Sequence, residues 1–179
     1  MINLQLKDTQ WPLDFIDHER RIVRAFVLDD QGFAYFVRAQ RDDDFGKATF
    51  IETSGGGVEA NESLEQALHR ELREELGVEV EILEKLGYVE DYYNLIHRKN
   101  LNHYYLCRIL SFKENQLTKE EKEEFHLQTF CLPLEEAIQE YESCSKTAIG
   151  QLIYQREVPI LKEALQRKNG RTISCDFQK

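Results

Sequence analysis

The segment Ser54–Val78, SGGGVEANESLEQALHRELREELGV, constrains this chain more than any other. Glu71, Glu74 and Glu75 follow an i, i+3, i+4 spacing, which on a helix stacks them on neighbouring turns of one face. Three like charges this close repel unless water solvates them fully or a cation sits between them. An oxygen-only ligand set favours a hard ion such as Mg²⁺ or Mn²⁺. Counting roughly 100° per residue from Glu71, Leu64, Leu68, Leu72 and Leu76 span an arc of about 20° to 140°. Glu75 falls inside that arc at about 40° and Glu71 at its border, whereas Gln66, His69 and Arg73 take the opposite side. An acid placed among leucines needs a partner, either a divalent ion or an arginine.

Glutamate-rich amphipathic helices are commonly structural, so the flanking residues decide the reading. The run Ser54-Gly55-Gly56-Gly57 lets backbone approach a ligand without side-chain clash. Asn61 or Ser63 can cap a helix expected over about 62–76, and Gly77 follows the last leucine, where a left-handed C-terminal cap is expected. Taken together, Gly56, Glu62, Arg70-Glu71, Leu72, Glu74-Glu75, Gly77 and Val78 resemble the signature of the Nudix hydrolase (MutT-like) family at every position of its box. One flanking departure is Ser54, where many members carry Pro.

The resemblance implies an α/β fold, an α/β/α sandwich around a mixed sheet. It also implies Mg²⁺-dependent hydrolysis, with Mn²⁺ as an alternative, of a nucleoside diphosphate linked to another moiety. Nucleoside triphosphates, nucleotide sugars and dinucleoside polyphosphates all meet that description. Glu71, Glu74 and Glu75 match the acids that hold the metal, and the Gly56 carbonyl is a further ligand. Arg70 matches the arginine that pairs with Glu62 and orients the helix. The catalytic set is then Glu74, Glu71 and Arg70. The general base is Glu74, or alternatively an acid of the run Glu120–Glu124, with Glu121, Glu123 and Glu124 as candidates. A non-catalytic nucleotide-sugar sensor and an RNA 5′-pyrophosphohydrolase are the competing readings. The complete box and a C-terminal stretch (146–179) too short for a winged helix argue against the sensor.

Substrate phosphates need cations. Arg38 is the leading candidate because it sits mid-strand between apolar neighbours; Gly55, Gly56 and Gly57 supply backbone contacts. Arg24, Arg41, Arg98 and Lys99 are weaker candidates, each read first as a surface charge. Phe45, Tyr92, Tyr93 and Tyr104 are stacking candidates set against an ordinary role in the core. His97 and His103 read as surface or capping residues, and Asp42-Asp43-Asp44 as an acidic surface loop. Prolines occur only at 12, 133 and 159, so the proline found past the box in some ADP-ribose hydrolases is missing.

The chain has 179 residues, 41% of them hydrophobic and 31% charged, as expected of one globular domain spanning 1–179. Its net charge of −10 argues against nucleic acid and anionic membranes as partners. No apolar run is long enough to span a bilayer, and the N-terminus lacks a signal-peptide core. Cys107, Cys131, Cys144 and Cys175 have no paired spacing, which suggests reduced thiols and a cytoplasmic location. Strands are expected over 21–28, 33–40, 48–56, 78–93 with a bulge at Gly87, 102–110 and 125–132. Pro133 is expected to open a short helix, and a longer one to run over about 146–168 and stop at Asn169-Gly170, leaving a tail or short strand. Residues 1–20 read as an extra strand or a dimer arm, so a homodimer stays open.

Overall fold

A computed structural model describes residues 1–113 and 127–176, with 171–176 described by backbone alone. The strands are β1 (Ile2–Leu6), β2 (His18–Leu28), β3 (Phe33–Asp43), β4 (Gly46–Thr53), β5 (Gly55–Gly57), β6 (Val78–Tyr93), β7 (Arg98–Phe112) and β8 (Gln128–Pro133). The helices are α1 (Leu64–Leu76), α2 (Ala137–Cys144) and α3 (Ala148–Asp176). The strands form one mixed sheet in the order β1-β6-β7-β2-β3-β4, with β5 also on β2 and β8 also on β3. β1 runs parallel to β6 and β2 parallel to β7; the other pairings are antiparallel.

Strand β2 shows why the chain folds into three layers. Its residues from Ile22 onward are all buried, because both faces of the strand are covered. Phe26 and Leu28 join one core cluster with Phe36, Phe50, Tyr141, Ile153 and Leu161, under α2 and α3. Val23, Ala25 and Val27 face the other way and meet Leu68, Leu72 and Leu76 of α1. This is the expected α/β/α sandwich. Double coverage also explains the poor polar/apolar alternation of RIVRAFVL in the sequence.

The β2–β3 ladder is short: only Val27 and Leu28 pair with Tyr35 and Ala34. Beyond them β3 diverges, and the free edge of β2 takes up β5 through Ile22–Gly57, Val23–Gly56 and Arg24–Gly55. A cleft opens where the two ladders part.

Several expected boundaries move. β2 and β7 start earlier, at His18 and Arg98, because eleven residues of parallel pairing (His18–Arg98 to Leu28–Arg108) carry polar strand ends that lack a hydrophobic pattern. α1 begins at Leu64, after a capping box in which Ser63 and Gln66 satisfy each other's backbone N–H, a device worth about 0.5–2 kcal/mol. Pro133 ends β8 instead of opening a helix; α2 starts at Ala137 after a turn in which Glu136 N donates to the Pro133 carbonyl. α3 does not stop at Gly170 but continues to Asp176. A glycine ends a helix by adopting a left-handed conformation, as Gly77 does at φ 65°, and Gly170 is not among the positive-φ glycines. The bulge expected at Gly87 is present as a register shift between Lys85 and Gly87. Of the two readings for the N-terminal segment, an added strand is observed. It is followed by a connection tethered through Asp8, which accepts from the Asn94 backbone N–H, and Asn94, whose amide donates to the Trp11 carbonyl.

His103 lies on β7 near the Tyr88 ring, and its Nδ1 has no hydrogen-bond partner among the described residues. Burial, aided by Lys85 and Arg21, holds its pKa down at about 4, against an ordinary 6.5. The unfolded chain therefore binds more protons than the folded one between these values. The stability that neutral His103 contributes is complete above pH 6.5 and is lost as pH falls toward 4. In His103→Gln the fall in urea midpoint between pH 7 and pH 4.5 should be smaller than in the parent; an equal fall would refute the assignment.

Candidate active site

The site begins with backbone geometry at the end of β4. Gly55 has φ +143°, and a Cβ there would lie 2.0 Å from the Val23 carbonyl oxygen, so only glycine permits β5 to close on β2. The fold carries α1 back across this loop. A Cβ on Gly56 would fall 2.4 Å from Glu71 Oε2, which places the Glu71 carboxylate directly against the Gly56 backbone.

Glu75 is 7% exposed, as expected of an acid within the leucine arc. Its Oε2 accepts from the Ser54 hydroxyl and from the Gly55 N–H at 2.9 Å, and no bond to Oε1 is found among the described residues. Burial pushes its pKa up to about 8; the two hydrogen bonds oppose this, and the charges of Glu71 and Glu52 add to it.

Arg70 ties the helix to the loop. Nε and Nη2 reach Glu62 at 2.9 and 3.0 Å, Nη2 also donates to the Gly57 carbonyl at 2.8 Å, and Nη1 reaches Glu71 at 2.8 Å and Glu74 at 3.2 Å. The hydrogen bonds to Glu62 lead in raising the Arg70 pKa, and in return they hold the Glu62 carboxyl below its usual range. Among the described residues no group of three or more His, Cys, Asp or Glu side chains is gathered as a metal ion would need, and Arg70 holds Glu71 and Glu74 in the arrangement seen.

These groups form one wall of a cavity of about 680 Å³. Arg20, Arg24, Arg41, Arg98 and Arg156 also line it, with Phe45, Tyr93, Ile149 and Ile153. Beneath them runs a buried polar network. Arg156, 1% exposed, donates to Glu157 at 2.8 Å, Tyr93 at 2.7 Å, Glu52 at 3.2 Å and Asp91 at 3.4 Å. Arg24 donates to the Thr53 carbonyl and to Asn102 and lies 3.7 Å from Glu52. Glu157, fully buried, accepts from Thr53 and Tyr104. Burial alone would raise the Glu52 carboxyl, but Arg24 and Arg156 outweigh it and hold it low.

The pattern that defines the NUDIX domain matches residues 18–149. The chain belongs to the NUDIX family. As a Nudix hydrolase it is an enzyme acting on pyrophosphate bonds, and members of the family generally use divalent metal ions and small nucleotide substrates. No curated protein is significantly similar in sequence. A NUDIX hydrolase from Nitrosomonas europaea shares the fold at a TM-score of 0.63 and 16% identity, over 84% of this chain and 91% of that one. The E. coli ORF135 protein does so at 0.57 and 23%, over 86% and 93%. An ADP compounds hydrolase does so at 0.58 and 18%, over 85% and 74%. No helix among the described residues is long and apolar enough to cross a membrane.

Glu71, Glu74, Glu75, Arg70 and Gly55–Gly57 of this Nudix hydrolase thus line one cavity. Arg38 does not join them. Its guanidinium pairs with Glu140 at 2.8 Å and lies 4.5 Å over the Phe130 ring, because α2 and β8 cover that side of β3. Tyr92 donates to Glu90, and Tyr104 is buried in the polar network. Phe45 and Tyr93 line the cavity and meet edge to face at 5.6 Å. Lys99 pairs with Glu19 and Glu90. Glu121, Glu123 and Glu124 fall outside the described residues.

Sequence reasoning missed Arg20, Glu52, Asn100, Arg156 and Glu157. For the last pair a signal existed: Arg156-Glu157 puts two opposite charges into an otherwise largely apolar stretch of α3.

Two pairs of substitutions test this geometry. Gly56→Ala should leave stability nearly intact, since the clashing group is a side-chain end, but displace Glu71 and weaken divalent-metal affinity on the order of 10–100-fold by calorimetry. Gly55→Ala should instead cost on the order of 1–3 kcal/mol or more in urea unfolding, because the clash is with backbone at a positive φ. Arg156→Met should cost about 3–5 kcal/mol, since it strands buried Asp91 and leaves Glu157 only Arg24 at 3.9 Å. Arg108→Gln, at an exposed pair with Glu81, should change stability by less than about 1 kcal/mol.

Proposed function

We propose that this Nudix hydrolase cleaves the pyrophosphate of a small nucleotide, a nucleoside diphosphate linked to another moiety, with Mg²⁺ or alternatively Mn²⁺. One observation carries the reading: Glu71, Glu74 and Glu75 line one cavity with the glycine loop and a group of arginines. The ADP compounds hydrolase of the same fold is in keeping with it.

The donors suit a hard divalent ion. All are oxygens. Glu75 is buried with its pKa raised, yet has an oxygen without a hydrogen bond, a state that a cation relieves. Gly56 carries no side chain where the Glu71 carboxylate lies, so its backbone approaches that carboxylate closely, and a carbonyl oxygen paired in the β2–β5 ladder keeps a second lone pair for an ion. Glu71, Glu74, Glu75 and the Gly56 carbonyl would therefore hold the ion. When bound, it screens phosphate charge and lowers the pKa of an attached water.

The protein's own residues do the rest. Ser54 and Gly55 fix Glu75, and Arg70 fixes Glu71 against the loop. Arg70 is thus a positioning residue. Glu74 is the most accessible of the three acids that Arg70 touches, with a side-chain exposure of 36% against 12% for Glu71 and 15% for Glu62. This suits it to take the proton of the attacking water. Ile149, Ile153 and Phe45 add an apolar part to the lining, which suits the non-phosphate portion of a nucleotide.

Purified protein supplied with Mg²⁺ or Mn²⁺ should hydrolyse nucleoside triphosphates, nucleotide sugars or dinucleoside polyphosphates, with products identified by mass. Chelation with EDTA should abolish turnover, and Glu74→Gln and Glu75→Gln should each lower kcat on the order of 10²-fold or more. Full activity of both variants in saturating metal would sink the reading.

A further inference from the structure

Most cavity arginines already have carboxylates. Arg24 faces Glu52 and Glu157, Arg41 pairs with Asp43, Arg70 with Glu62, Glu71 and Glu74, and Arg156 with Glu52, Asp91 and Glu157. Arg20 and Arg98 differ: among the described residues neither has an ion-pair partner, in a chain of net charge −10. Arg98 lies 5.2 Å over the Tyr93 ring, and its buried Nε has no hydrogen bond among the described residues. Next to them is Asn100. It is fully buried and lines the same cavity, and among the described residues neither Nδ2 nor Oδ1 has a hydrogen-bond partner.

The sheet register places these three together. Arg20 is directly opposite Asn100, and His18 opposite Arg98, in the parallel β2–β7 ladder. Arg98 and Asn100 are two residues apart and so share a face. The Arg20 guanidinium abuts the glycine loop, since a Cβ on Gly57 would fall 2.8 Å from its Nη2. A path therefore leads from the carboxylates, past Gly56 and Gly57, to Arg20, and onward along the strand ends to Asn100 and Arg98.

We propose that Arg20, Arg98 and Asn100 form a subsite for a further phosphate group, so that the enzyme prefers nucleotides extended by a third phosphate over those in which the diphosphate is capped by an uncharged sugar. This rests on the hydrolase reading above and narrows it. Two guanidinium groups without counter-ions favour charge beyond the pyrophosphate that the acidic wall and its cation serve. The buried Asn100 amide supplies a donor for a phosphate oxygen and an acceptor for a hydroxyl or bound water beside it. An uncharged sugar would leave both arginines without a counter-charge.

The test compares ATP with ADP-ribose, two substrates with the same nucleoside and the same diphosphate. The parent enzyme should show kcat/KM about tenfold or more higher for ATP. Arg98→Gln and Arg20→Gln should each cut this about tenfold, mainly through KM, the scale of one lost charge-assisted hydrogen bond, and change ADP-ribose less than about twofold. Arg98→Lys should recover part of the loss, and Arg108→Gln should change neither substrate. Arg20 is exposed on its strand, so its substitution keeps the test valid if Arg98→Gln fails to fold. Equal losses on both substrates, no loss on ATP, or a parent preference for ADP-ribose would overturn the subsite while leaving the hydrolase reading intact. A protein without turnover would refute the hydrolase reading alone. Calorimetry with sodium tripolyphosphate and pyrophosphate then decides the subsite: tighter tripolyphosphate binding that disappears in Arg98→Gln supports it, and equal affinities overturn it.

Discussion

The grip of Ser54 and Gly55 on the Glu75 carboxylate joins the two halves of this site. It spans the point where β5 leaves the end of β4 and binds the open edge of β2. Without it α1 would still pack its leucines on Val23, Ala25 and Val27, but only the outer contact of Arg70 would fix its rotation relative to the loop. The acid sits in surroundings that disfavour its charge, so the contact is costly unless something further compensates it. Arg70 works at the outer end of the same seam, binding Glu62, Glu71, Glu74 and Gly57. The helix is thus pinned from inside by a carboxylate and from outside by a guanidinium.

The second constraint lies under the cavity. Arg24, Arg156, Glu52, Glu157 and Asp91 put five formal charges into a region where Arg156 and Glu157 are almost wholly removed from water. Buried ion pairs commonly contribute little net stability compared with apolar residues of the same shape. What they supply is position: Tyr93, Tyr104, Thr53 and Tyr141 all orient toward this cluster, and Tyr93 and Glu52 also line the cavity above. Rigid polar walls of this kind align donors before a ligand arrives, which lowers the ordering cost of binding.

Much of this was legible in the sequence because it depends on local periodicity. The position of Glu75 among Leu68, Leu72 and Leu76 follows from helical geometry alone, as does the cap at Gly77. The bulge at Gly87 could be read because a glycine interrupts strand alternation. Other features depend on partners far away in the chain. Arg38 looked functional from its apolar neighbours, yet Glu140 and Phe130, brought by α2 and β8, occupy its guanidinium. Asn100 has no sequence signal, since its importance comes from burial beside Arg20 across a parallel ladder. The polar beginnings of β2 and β7 went unread because hydrogen bonding, not hydrophobic pattern, extends them. Gly170 misled because glycine permits a helix stop without enforcing one.

The acids and the floor come from different helices that touch opposite faces of one sheet. The domain pattern ends at residue 149, whereas Ile153, Arg156 and Glu157 lie beyond it on α3. Ile153 and Arg156 therefore shape the chamber's base from outside the span that defines the family, while Glu71, Glu74 and Glu75 stand within it.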